Sequence, residues 1–165
     1  MKIRLRKVRP DDAAALAGAW RDQAATYAAL DPQAFGRPDE DGLGAWLTEG
    51  LAEQADPDHR LVLVADIDGD AVGFVVAAVV PPHPTPHHQA QRDLRDTTVR
   101  IEALVVARCW WREGVGSRLA QAAEDWARNR GAVTITAQAH PAGPATAFLQ
   151  DRGYETRAVV YGRRL

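Results

Sequence analysis

Cysteine is almost missing from this 165-residue sequence, which holds one, Cys109. A lone thiol makes no internal disulfide, and a chain of this length can bury roughly two-thirds of its unfolded surface, so one core suffices without a covalent or metal staple. Lysine is nearly absent as well; arginine carries most of the positive charge, and the formal net charge of -2 leaves no electrostatic reason to expect nucleic-acid binding. No stretch approaches the ~18 apolar residues of a membrane span. The opening Met1-Lys2-Ile3-Arg4-Leu5-Arg6 lacks the apolar centre of a signal peptide. The expectation is a cytoplasmic protein with neither membrane nor nucleic-acid partners, folded as a single domain over 1–165; 46% hydrophobic and 25% charged residues is an ordinary globular balance.

What is present is a readable alternation of elements. Ile3, Leu5 and Val8 alternate with basic residues as in a strand, and Pro10-Asp11-Asp12 offers a turn and an N-cap. Leu16, Trp20, Ala24 and Tyr27 then share one helical face until Asp31-Pro32 stops the run. A second helical stretch, roughly 40–54, carries Leu43, Leu47 and Leu51. Two apolar runs, 61–65 and 71–80, flank Asp66-Ile67-Asp68-Gly69-Asp70 and read as a hairpin. Residues 81–97 hold Pro81, Pro82, Pro84 and Pro86 interleaved with His83, His87 and His88, the pattern of a mobile loop. A strand over 98–106 leads into a helix with Val115, Leu119, Ala122 and Trp126 on one face, ended by Gly131. A strand at 133–136, a short helix from Pro144 to Asp151, and one or two last strands between Tyr154 and Arg164 complete the order.

The informative segment is the turn ending in Gly114-Val115-Gly116. A helix start leaves backbone N–H groups unpaired and partly positive, so it holds a phosphate without basic side chains, and glycines let the ligand reach the backbone. Such a G-x-G alone is a weak signal, since small residues also serve packing. A dinucleotide-binding turn would need a third glycine where Leu119 stands, and a P-loop needs Gly-Lys-Ser/Thr, which is missing.

The wider pattern is specific. Ile101-Glu102-Ala103-Leu104-Val105-Val106 through Gly114-Val115-Gly116-Ser117-Arg118-Leu119, together with Asp151-Arg152-Gly153-Tyr154 and the opening Ile3 to Asp12, resembles the Gcn5-related N-acetyltransferase (GNAT) family over nearly the whole chain. The resemblance implies an α/β (α+β) fold with a central, mostly antiparallel mixed sheet of six to seven strands flanked by about four helices. It also implies transfer of an acetyl group from acetyl-CoA, with no metal, to a primary amine of a small molecule such as an aminoglycoside-like antibiotic or polyamine. Amides near Arg112, Glu113, Gly114, Val115, Gly116 and Ser117 would take the CoA pyrophosphate, while Leu104, Val105 and Val106 would pair with the pantetheine arm. A homodimer would be in keeping with many members.

Two positions depart from the family pattern. Trp111 stands where Arg or Gln is usual, with Arg112 or Arg108 available for an added phosphate contact, and Leu149 stands where many members have a proton-donating Tyr. Tyr154, His140, Tyr27 and Tyr161 are the alternative acids; otherwise the thiolate leaves unassisted or takes its proton from water, which slows such a reaction without forbidding it. Glu102 is the expected base that deprotonates the amine, against a role in pairing with an arginine such as Arg100. A backbone N–H near Val105 would polarise the acetyl carbonyl. The missing tyrosine also keeps open a catalytically weak acyl-CoA sensor or partner module.

The remaining motifs read as structure. Asp66, Asp68 and Asp70 alternate as in a calcium loop, but Ala71 and Ala77 occupy the positions that need Gly and Glu. The loop histidines lack a ligand spacing, and Cys109 lacks an evident histidine partner. Trp20, Trp46 and Trp126 read as core, while Trp110 and Trp111 either cover pantetheine or pack the turn.

Overall fold

The computed structural model describes residues 2–163. Its sheet runs β1 (Arg4–Arg6), β2 (Arg60–Ile67), β3 (Asp70–Val80), β4 (Thr98–Val106) and β5 (Thr134–Ala137), in that spatial order. Pairing is antiparallel from β1 to β4 and parallel between β4 and β5. The mostly antiparallel mixed sheet is as the sequence implies, with five strands among the described residues rather than six to seven. The difference lies at the end: residues 154–163 form no strand, Val160 and Tyr161 are exposed, and Arg164 lies outside the described residues. Apolar content gives a segment the capacity to pair, but pairing needs a partner edge, and four-residue β5 offers little of one.

The β2–β3 hairpin turns through Asp68 and Gly69, both at positive φ (54° and 103°), as a two-residue turn compatible with sheet twist requires. Asp66, near the end of β2, braces this turn, its Oδ1 accepting the Gly69 amide at 3.0 Å. β3 stops at Val80, where prolines remove ladder donors. The 81–97 loop that follows is stitched to itself: His83 N–H donates to the Leu94 carbonyl at 2.8 Å and Arg95 Nε to the Gln89 carbonyl at 2.8 Å.

Helices cover both faces. On one, α1 (Ala13–Leu30) packs with α2 (Leu43–Ala45), a π-turn at Trp46–Gly50 and α3 (Leu51–Gln54), burying Leu16, Leu43, Leu47 and Leu51 against Val62, Val64, Phe74, Val76 and Val105. On the other, α4 (Val115–Asn129) lays Val115, Leu119, Ala123 and Ala127 on Val75, Val99 and Ile101. The buried stripe of α4 includes Ala123 in place of the expected Ala122, which is only half-buried. α5 (Pro144–Asp151) closes the chain's last helix, with Gly153 at φ 84° as its left-handed stop.

One expected cap takes another role. The Asp12 carboxylate makes no side-chain cap to α1; it accepts the Arg9 amide at 2.8 Å and a forked pair of bonds from Arg6, both at 2.7 Å. Arg6 also reaches Asp66 at 2.7 Å, so one largely buried guanidinium ties β1, β2 and the start of α1 together.

Candidate active site

The site is built around the second half of β4. β5 pairs with β4 only from Thr98 to Ile101, and β3 pairs along its whole length, so beyond Ile101 one edge of β4 has no strand neighbour. The Ala107 amide donates to the Val72 carbonyl at 2.9 Å, and Val106 is opposite Gly73. Antiparallel bonding alternates along the strand, so Val105 exchanges bonds with β3 while Leu104 and Val106 turn their N–H and C=O groups to the open edge. The carbonyl-polarising amide expected near Val105 is thus offered by its neighbours, Leu104 foremost, since the Val105 N–H itself faces β3.

The open edge already has a partner at one point. Trp111 Nε1 donates to the Val106 carbonyl at 2.8 Å, and the Arg108 guanidinium lies 5.8 Å from the centre of the Trp111 ring. Ahead of α4, Arg112 (φ 66°) and Gly114 (φ 82°) both adopt the left-handed conformation, and Gly114 caps the helix with no side-chain hydrogen bond. The first amides of α4 therefore keep unfilled donor capacity beside a positive helix end. Arg112, Glu113 and Ser117 are exposed, Val115 is fully buried, and Gly116 lies under Phe148 of α5 and Leu104 of β4, its added Cβ meeting them at 3.6 Å and 3.8 Å. β4, α4 and α5 thus converge at Gly116.

Glu102 occupies a β-bulge. Ile101 pairs with Ala77 and Ala103 with Val76, so Glu102 is the extra residue, and such a bulge re-aims its side chain. It opens to a cleft that includes Trp20, Trp46, Phe74, Val76 and Arg60. Its partner is Arg60, two strands away on β2, rather than Arg100; the Arg60 NH2 group donates to Glu102 Oε2. The Arg60 Nε–H is buried without an acceptor.

The other candidates are not brought to this cleft. The Tyr154 hydroxyl donates to Glu124 of α4 at 3.3 Å, within the Arg152–Glu124 ion pair at 2.8 Å. Burial, reinforced by the Glu124 charge, pushes its pKa up to about 12. His140 stacks edge-on to Phe35 with ring centres 6.2 Å apart, and its Nε2 lies 3.9 Å from Asp31. Tyr27 packs on Phe35 at 5.1 Å, with its hydroxyl pKa raised by burial, and Tyr161 is 91% exposed. Tyr27 and His140 gather at the end of α1 and Tyr154 on the flank of α4.

Sequence reasoning missed Arg60 and misread Trp46, while Trp20 packs against the core as expected. Trp46 is 48% exposed and, with Trp20, lines the cleft; Trp20 packs edge-on against Trp46 at 5.3 Å and stacks on Phe74 at 6.1 Å. The sequence places Trp46 on an apolar helical face, yet the π-turn at Trp46–Gly50 widens the helix there and Trp46 falls at its rim.

The comparisons agree with this architecture. Residues 24–154 match the model of the Acetyltransferase (GNAT) family, and the chain belongs to that family. No curated protein matches in sequence. Among solved structures, a mutant of the BH1408 protein from Bacillus halodurans is 18% identical with a TM-score of 0.79, covering 100% of this chain and 99% of that one. AAC(6')-Iy, solved with the bisubstrate analogue CoA-S-monomethyl-acetylneamine, is 22% identical with a TM-score of 0.61 and full coverage of both chains. Glucosamine-6-phosphate N-acetyltransferase from Arabidopsis thaliana is 11% identical with a TM-score of 0.65, covering 99% of each. At these identities the likeness is one of fold.

Proposed function

We propose that the chain is a single-domain, acetyl-CoA-dependent N-acetyltransferase acting on a primary amine of a small molecule. The observation that carries this reading is the open half of β4, which offers the Leu104 and Val106 backbone groups immediately before the α4 start. Pantetheine would lie along that edge and its pyrophosphate at the amides of residues 112–117, with Arg108 or Arg112 near the phosphates. Glu102, on the bulge of the same strand, would face the acceptor across the cleft.

In the reaction, the amine loses a proton to Glu102 or to water leading to it, and its nitrogen attacks the thioester carbonyl. The Leu104 N–H stabilises the oxyanion, the C–S bond breaks, and the CoA thiolate leaves. Leu149 donates no proton and Tyr154 is engaged with Glu124, so water protonates the thiolate. That a thiol ionises not far above neutral pH makes this departure tolerable. No covalent enzyme intermediate is required.

Two observations favour a second reading, an acyl-CoA-binding module of low activity: Leu149 in place of tyrosine, and the Trp111 bond on Val106. Amine-dependent thiol release from acetyl-CoA separates them. Release that saturates with one amine class supports the transferase; acetyl-CoA binding without release for any amine supports the binding module.

A further inference from the structure

The cleft beside Glu102 has a volume of about 170 Å³, close to the roughly 150 Å³ of an apolar cavity that holds one benzene ring. Seven of its ten lining residues are apolar, Trp20, Trp46, Leu51, Phe74 and Val76 among them, so a hydroxyl-rich sugar amine would leave oxygens without partners there. The polar ones are Gln54, Arg60 and Glu102. Resting on the transferase reading, we propose that the acceptor is an α-amino acid, or a carbonyl derivative of one, with a ring-sized apolar side chain: the amine meets Glu102, the neighbouring carbonyl oxygen meets Arg60, and the side chain lies against Trp46.

The ion pair sets the spacing. Arg60 Nη2 donates directly to Glu102 Oε2, so the two charges are adjacent, and each side chain is about a third exposed. A ligand that meets both must carry its amine and its oxygen on neighbouring carbons, the arrangement of an α-aminoacyl group. The guanidinium has free donors for that oxygen. Among the described residues its Nη1 has no hydrogen-bond partner, and its Nε–H is buried with no acceptor. A cation partly withdrawn from water gains more from a ligand oxygen than one in open solvent, and its planar fork suits a carboxylate or carbonyl. Trp46, 48% exposed, supplies the face that the apolar side chain covers, and removing that surface from water favours binding. A plain alkylamine leaves Arg60 without its oxygen, and a polyamine sets a second ammonium against an apolar wall.

The test is calorimetric titration, in the presence of CoA, of L-phenylalanine, L-phenylalaninamide, 2-phenylethylamine and glycinamide, followed by thiol release from acetyl-CoA with each. Phenylalanine or its amide should bind at least tenfold more tightly than 2-phenylethylamine, which lacks the oxygen, and than glycinamide, which lacks the side chain. Which of the two binds better separates a carboxylate from a neutral carbonyl as the group read by Arg60. Arg60→Met should bring phenylalaninamide down to the level of 2-phenylethylamine, and Trp46→Ala should bring it toward glycinamide, each at an unchanged melting temperature. The wild-type series decides by itself where a variant does not fold. Binding of 2-phenylethylamine or of glycinamide as tight as that of phenylalanine and its amide overturns the proposal, as does an oxygen preference that survives Arg60→Met. Selective binding with no thiol release from any amine would support the pocket and remove the transferase reading; thiol release without such selectivity would do the reverse.

Discussion

The Trp111 indole donates a hydrogen bond to the Val106 carbonyl at 2.8 Å, on the edge of β4 that β5 leaves open. Pantetheine pairing with that edge competes for the same carbonyl. A net hydrogen bond is worth about 0.5–1.5 kcal/mol, so Trp111→Phe, which keeps the ring and loses the donor, should tighten acetyl-CoA binding by about two- to tenfold. Titration calorimetry reads this directly. A loss of affinity would mean that the indole supports the bound arm.

Glu102→Gln should leave acetyl-CoA affinity intact and lower kcat by about 10²- to 10⁴-fold, the usual contribution of a positioned base. Full rate across the pH range with normal acetyl-CoA binding would remove Glu102 from the mechanism.

Tyr154→Phe should retain the wild-type rate, because the hydroxyl is committed to Glu124 and does not line the Glu102 cleft. A large drop in kcat with unchanged thermal stability would restore Tyr154 as the acid.

The Arg6 pair governs acid stability. Burial opposes the charge on Asp12, but hydrogen bonds from Arg6 and the Arg9 amide more than offset it, and the Asp12 pKa is lowered. Hydrogen bonding from Arg6 is the main cause of the lowering at Asp66, where burial again opposes it. Both groups are depressed on folding, so their contribution is complete above the ordinary aspartate value of 3.8 and is lost as pH falls through the lowered folded values. Melting temperature against pH should fall below that value, and less steeply in Arg6→Met. At neutral pH Arg6→Met should cost about 3–5 kcal/mol, because it leaves two buried carboxylates without their cation.

Gly73 of β3 has no room for a side chain: an added Cβ would lie 2.4 Å from the Val105 carbonyl oxygen. Since backbone must move to relieve that, Gly73→Ala should destabilise by about 1–3 kcal/mol in denaturant unfolding. Gly116→Ala, whose nearest contacts begin at 3.6 Å, should leave stability unchanged or raise it by up to about 1 kcal/mol.

Much of the framework was legible because it depends on local periodicity. The 98–106 strand and the 144–151 helix fall where the sequence places them, and the Asp68-Gly69 hairpin follows from turn chemistry. What escaped depends on long-range geometry. The Arg60–Glu102 pair joins residues 42 apart across an intervening strand, and Asp12 faces Arg6 instead of its own helix. The Trp46 position follows from a π-turn that a 3.6-residue period does not register, and the last expected strands found no partner edge.

The most direct measurement is a calorimetric titration of acetyl-CoA into the purified protein, with NAD as the control ligand. Saturable binding at one site per chain is expected for acetyl-CoA, and no heat from NAD. No acetyl-CoA binding, or an equal response to both, would contradict the assignment of the open β4 edge and the α4 start as an acyl-CoA site.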